Sequence, residues 1–113
     1  MQQKVHTKNA PQALGPYSQA IISGNFIFCS GQVAVEPKTK TLAKDITTQT
    51  HQVMKNLQAV LQAAGSDLQH VIKTTIFVVD LNDYGKVNEI YAEYFGEHKP
   101  ARATVQVSKL PQG

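Results

Sequence analysis

Apolar residues along this chain recur with two different periods, and the change from one to the other lays out its elements. Ala20, Ile21 and Ile22, then Phe26, Ile27, Phe28 and Cys29, make two short apolar runs on either side of Ser23-Gly24-Asn25. Gly and Asn accept positive φ at a tight turn, so the runs predict a pair of antiparallel strands. Residues 4–7 predict an earlier strand. The stretch Asn9-Ala-Pro-Gln-Ala-Leu-Gly-Pro-Tyr, with its prolines and glycine, predicts a loop that ends on Tyr17. Beyond a polar turn at Glu36-Pro-Lys-Thr-Lys the period lengthens. Ile46, Val53, Leu57, Val60, Leu61 and Ala64 recur at three and four residues, which predicts a helix capped by Asp45 and closed by Gly65. Residues 71–79 are apolar or threonine except at Lys73, the pattern of a central strand covered on both faces. A second helix is predicted from Asn82 or Asp83 to Gly96, burying Val87, Tyr91, Tyr94 and Phe95. Residues 100–108 alternate cleanly. Ala101, Ala103, Val105 and Val107 take the face expected to be core, and Arg102, Thr104, Gln106 and Ser108 take the polar one.

These elements predict an α+β fold of two layers. Two strand-helix-strand units require parallel pairing and the opening hairpin antiparallel pairing, so the sheet is expected to be mixed, with both helices on one face. Two helices shield one sheet face only, yet the strand at 71–79 is apolar on both. A second copy of the chain is expected to cover the other face.

At 113 residues the chain has room for one domain with a real core and for no linker. Its net charge of +3 comes from lysines scattered through every segment, without a basic stripe interleaved with aromatics, so nucleic acid is not indicated. No apolar leader opens the chain and no stretch reaches bilayer length, so the expectation is a cytoplasmic protein away from membranes. Cys29 is the only cysteine, which excludes an internal disulfide, and it is read as a small buried residue rather than a nucleophile. His6, His51, His70 and His98 lack metal-ligand spacing, so no metal site is expected. Asp80 and Asp83 bracket a strand-to-helix turn, where capping explains them better than paired acid-base chemistry.

Arg102 stands out because it is the only arginine, set among small residues. Its planar five-donor fork suits a carboxylate or a phosphate, although a structural arginine that pairs with a protein carboxylate or covers a sheet edge fits the spacing equally well. Gly31, at the end of a strand, leaves backbone open to close approach or marks a bulge. Tyr17, Ser30, Gly31, Arg102 and Thr104 are polar positions that only a fold can bring together.

Three stretches carry a resemblance: Asn9-Ala-Pro-Gln-Ala-Leu-Gly-Pro-Tyr-Ser-Gln-Ala, Ser30-Gly31-Gln32-Val33, and Pro100-Ala-Arg-Ala-Thr-Val-Gln-Val-Ser-Lys-Leu-Pro. They resemble the reactive intermediate deaminase family, also called Rid or YjgF, over residues 9–111. The resemblance implies a fold like that of small chorismate mutases, with three copies packing sheet faces around a barrel and a ligand cleft at each interface. It implies hydrolysis of 2-aminoacrylate-type enamines and imines, including 2-iminobutanoate and 2-iminopropanoate, to 2-keto acids and ammonia, without a metal or organic cofactor. On matching positions, Arg102 would hold the substrate carboxylate, Tyr17 would close over the ligand, and Ser30, Gly31, Thr104 and, further out, Asn88 would line the pocket. Thr104 departs from the cysteine or serine of many members. The resemblance also implies one more strand beyond Leu110-Pro111-Gln112-Gly113, bearing a glutamate for the attacking water, so residues 1–113 are expected to form a single domain without that strand. Two other readings stay open: a translation-inhibiting endoribonuclease, and a non-catalytic trimer that binds small metabolites.

Overall fold

Helix α1 (Ile46–Ala63) joins the two halves of the molecule because it is apolar on two sides. The computed structural model describes residues 2–113. Val60, fully buried, packs with Val5, Ala10 and Ala20 of the N-terminal half. Met54 and Leu61 pack with Leu68 and Phe95 of the C-terminal half. Asp45 caps the helix as predicted, accepting from Thr48 N at 2.9 Å, and these hydrogen bonds hold the Asp45 carboxyl below its usual pKa. At the other end Gly65 takes φ +83°, a left-handed turn that stops the helix.

The N-terminal half is an antiparallel sheet of β1 (Gln2–Val5), β2 (Ala20–Ser23) and β3 (Phe26–Cys29), in that order. The hairpin turns on Gly24 at φ +59°, as its sequence required, with Ser23 opposite Phe26. The first strand starts two residues earlier than predicted, since Gln2 pairs with Ser23 and pulls the extreme N-terminus into register. The C-terminal half pairs β4 (Lys73–Val78) with β5 (Ala101–Gln106) in parallel, Thr74 opposite Arg102 and Ile76 opposite Thr104. Helix α2 (Tyr84–Phe95) makes the crossover between them and ends at Gly96, φ +62°. It buries Val87, Ile90 and Phe95; Tyr91 and Tyr94 are half-buried.

The α+β architecture, with two helices and both kinds of strand pairing, is therefore as expected, but three details differ. Antiparallel and parallel pairing are divided between two sheets, because among the described residues no strand joins β3 to β4. For the same reason β4 is not central: β5 is its one partner. The alternation of β5 is right but its faces are exchanged. Arg102 and Thr104 are the half-buried positions, with Thr74, Ile76 and Val78 beside them on β4, while Ala101, Ala103 and Val105 lie exposed. The polar side chains turn toward α2 because the tyrosines there give them partners.

Two smaller expectations also fail. Cys29 lies at the exposed end of β3, although the surrounding chain desolvates the thiol enough to push its pKa up. Asp80 caps the turn before α2 through Asn82 N, but Asp83 makes no side-chain capping bond.

Candidate functional site

The spacing of Tyr84, Asn88, Tyr91 and Phe95 is four, three and four residues, so these side chains form one stripe along α2. The stripe faces the start of β5, and Arg102 reaches into it. Arg102 Nη1 donates to Asn88 Oδ1 at 2.6 Å and Nη2 to the Tyr84 hydroxyl at 2.7 Å. The guanidinium carbon lies 4.9 Å from the centre of the Tyr91 ring and 5.4 Å from that of Tyr84, so both rings present their electron-rich faces to the cation. Tyr91 is fixed in turn by Thr74 Oγ1 of β4, 2.7 Å from its hydroxyl, and by Phe95, whose ring centre is 4.5 Å away.

No carboxylate pairs with Arg102 among the described residues, where the ion pairs are His70–Asp67 and Lys86–Glu89. The guanidinium charge thus meets neutral acceptors and no internal anion among the described residues, so the reading in which it pairs with a protein carboxylate is not what the structure shows. Two of its five N–H donors are used, which leaves three for a ligand. A cavity of about 460 Å³ opens beside it, walled by Asn88, Tyr91, Phe95 and Pro100, with His98 and Lys99 at its edge. His98 Nε2 donates to Val71 O at 2.6 Å, which holds the ring against the segment leading into β4. Thr104, two residues along β5 on the same face, has a buried hydroxyl without a hydrogen-bond partner among the described residues.

The other predicted residues form a second cluster. Ser30 Oγ donates to Ser18 O at 2.6 Å and Ser30 N to Gln19 O at 3.0 Å, which ties the end of β3 to the residues just after Tyr17. Tyr17 is 57% exposed, with its hydroxyl 3.4 Å from Leu14 N inside its own loop. A side chain at Gly31 would meet nothing within 4 Å, so this backbone faces open space. No hydrogen bond joins Tyr17, Ser30 or Gly31 to Arg102 within one chain, whereas Asn88 and Arg102 touch.

Three functional residues escaped the sequence reading. Tyr84 and Tyr91 hold Arg102, and the helical spacing of Tyr84, Asn88 and Tyr91 was the signal available. Gln19 is the third: buried, it accepts from Thr7 N at 2.7 Å and donates to Pro11 O at 2.8 Å, fixing the proline loop that carries Tyr17. Nothing local in the sequence marks it.

The fold and the arginine cluster together define a small α+β domain with a half-buried cation beside a cavity. The family model described as Endoribonuclease L-PSP matches residues 7–113. A RutC family protein of Pyrococcus horikoshii is 54% identical over 99% of this chain and 90% of its own length. A 2-iminobutanoate/2-iminopropanoate deaminase of Salmonella typhimurium is 43% identical over 99% of this chain and 90% of its own. Among solved structures, a Rid family protein of Yersinia pestis superposes with a TM-score of 0.98 at 48% identity, covering 100% of this chain and 91% of that one. The chain belongs to the Endoribonuclease L-PSP family, which includes the Rid and YjgF proteins.

Proposed function

We propose that the protein is an imine deaminase, hydrolysing 2-aminoacrylate-type enamines and their 2-imino acid tautomers to 2-keto acids and ammonia. The observation that carries this reading is Arg102: its charge has no internal carboxylate, and it stands over a cavity of a size suited to a small organic acid. The similarity to a deaminase over nearly the full chain supports it. Arg102 would take the substrate carboxylate through two of its remaining donors, and Asn88, Tyr84 and Tyr91 would keep the guanidinium plane in place. Water adds to the imine carbon, a proton moves to nitrogen, and the C–N bond of the resulting amino alcohol breaks to release ammonia and the keto acid. Such a substrate requires positioning and modest proton transfer, and fixing its carboxylate provides the first.

We further propose that the working form is a homotrimer built through the bare sheet faces. Phe77 is 54% exposed and Val105 40%, side by side on β4 and β5, and Phe28 is 64% exposed on β3. Burying what remains exposed of Phe77 and Val105 would contribute about 1 kcal/mol each per copy, roughly half the value for a fully exposed side chain. In that assembly Tyr17, Ser30 and Gly31 of one copy would complete the Arg102 site of the next.

The test is a coupled assay in which a dehydratase generates 2-aminoacrylate and keto acid formation is followed with and without this protein. Acceleration that disappears in Arg102→Gln supports the reading. Failure to accelerate any of a panel of amino-acid-derived imines, by a protein that still binds 2-keto acids, would replace the enzyme with a metabolite-binding module. RNA cleavage that survives the same substitution would favour the ribonuclease.

A further inference from the structure

A second recess, sharing no residue with the Arg102 site, lies where the N-terminal loop, the turn at Glu36 and the exposed side of α1 meet. Its volume is about 340 Å³, and its lining includes one lysine from each of these three segments: Lys8, Lys38 and Lys55. None of them forms an ion pair among the described residues. The one acid on the rim, Glu36, is turned into its own loop, where Oε2 accepts from Lys38 N at 2.9 Å and Thr39 N at 2.6 Å. Those bonds hold its carboxyl below the usual range, so Glu36 stays charged and the recess carries a net charge of +2.

The geometry of this recess is fixed from beneath. Asn56 is completely buried and donates to Val33 O and Val35 O, both at 3.0 Å, while its Oδ1 accepts from Gln52 Nε2 at 2.9 Å. These bonds fasten the strand-like segment before Glu36 to α1, so Lys38 and Lys55 are held on a common frame. Asn56 is thus spent on the frame, and the lysines are the groups left to meet a ligand.

From this arrangement we propose that the recess binds a small phosphate ester of the sugar-phosphate type. A phosphate monoester carries about −1.5 to −2 charges at pH 7, which matches the net charge of the site. Flexible lysines contributed by three separate segments suit the three-fold oxygen face of phosphate, whereas a planar carboxylate is better served by an arginine fork. The walls carry no aromatic ring on which a base could stack, and the amides of Asn9 and Gln52 provide hydrogen-bonding edges for hydroxyl groups. A polyol phosphate therefore fits better than a nucleotide or a nucleic acid strand.

Calorimetric titration of the full chain with inorganic phosphate and, separately, with a hexose monophosphate tests this. The expected result is a Kd for the ester below about 1 mM, weakened about ten-fold or more in a Lys8→Gln, Lys38→Gln, Lys55→Gln triple variant. Raising the salt concentration is expected to weaken it further. The Arg102→Gln variant should bind the ester unchanged, and the triple variant should keep its melting temperature and its imine hydrolysis. Absence of binding would overturn the proposal. So would binding of the free ion only, or binding that survives the triple lysine change and is lost in Arg102→Gln, which would place the anion in the other site.

Discussion

The two faces of β5 differ in the opposite sense to an ordinary strand. The face toward α2 carries Arg102 and Thr104, beside Thr74, Ile76 and Val78 of β4, while the face turned away carries Ala101, Ala103 and Val105, beside Thr75 and Phe77. Normally the apolar face is covered and the polar face is wet. The covered side of β5 is organised by aromatic rings and amide oxygen that hold a cation without neutralising it, which is the basis of the proposed carboxylate site. The uncovered apolar face is the one proposed above to meet another copy.

The largest expected effect comes from changing the polar face while keeping its charge. Arg102→Lys retains a cation but loses the planar fork and the stacking on Tyr91 and Tyr84, so kcat/KM for imine hydrolysis should fall about 100-fold or more. The melting temperature should change little. A near-normal rate would mean that a point charge suffices and that the fork is not what holds the substrate.

On the bare face the effect should appear first in assembly. Phe77→Asp puts a charge where one copy is proposed to meet another, and light scattering should show dissociation toward monomers at micromolar concentration. Activity should fall with it, because Tyr17 and Arg102 would no longer share a site. An unchanged particle mass would remove Phe77 from any interface.

Asn88→Ala returns to the polar face for a smaller effect. It removes the acceptor at 2.6 Å from Arg102 Nη1 without touching the charge. A hydrogen bond to a charged group contributes about 1.5–3 kcal/mol, but solvent and the Tyr84 hydroxyl offset part of the loss, so an increase in KM of about five-fold to ten-fold is expected with kcat less affected. A fall confined to kcat would instead place Asn88 against the reacting atoms.

The same contrast explains how much could be read before the structure was known. The elements were legible, because the periodicities of α1 and α2, the Gly24 turn and the alternation of β5 are set by local physics. Arg102 was legible as a candidate through its uniqueness and Asn88 through the family resemblance, and the structure brings these two into contact. What could not be read was which face of β5 would be covered. Alternation fixes that Arg102 and Val105 point oppositely, but the choice depends on Tyr84 and Tyr91 arriving from 11 to 18 residues away in sequence to receive the guanidinium. Cys29 failed for the same reason, since its burial depended on a neighbour to β3 that the described chain does not provide. The buried amides Gln19 and Asn56 were invisible because their partners are backbone carbonyls in distant loops, which leave no trace in composition or spacing.

The smallest predicted effect separates function from stability most cleanly. Thr104 Oγ1 is buried and unpartnered among the described residues, while the rest of its side chain packs on the α2 side of β5. An unsatisfied buried hydroxyl costs about 1–3 kcal/mol relative to a paired one, and valine has nearly the same shape without the polar atom. If the hydroxyl has no role, Thr104→Val should leave activity unchanged and raise the melting temperature, corresponding to a gain of up to about 1 kcal/mol once solvent relaxation is allowed for. If its partner is the bound substrate or the attacking water, the same substitution should stabilise the free protein and yet lower kcat by a few-fold. We expect the second outcome, because Thr104 lies on the same strand face as Arg102, two residues further along β5. Thermal melts and the imine assay on this single variant decide it. A variant that is less stable than the parent would show instead that the hydroxyl already has a partner in the folded protein, such as one donated by a neighbouring copy.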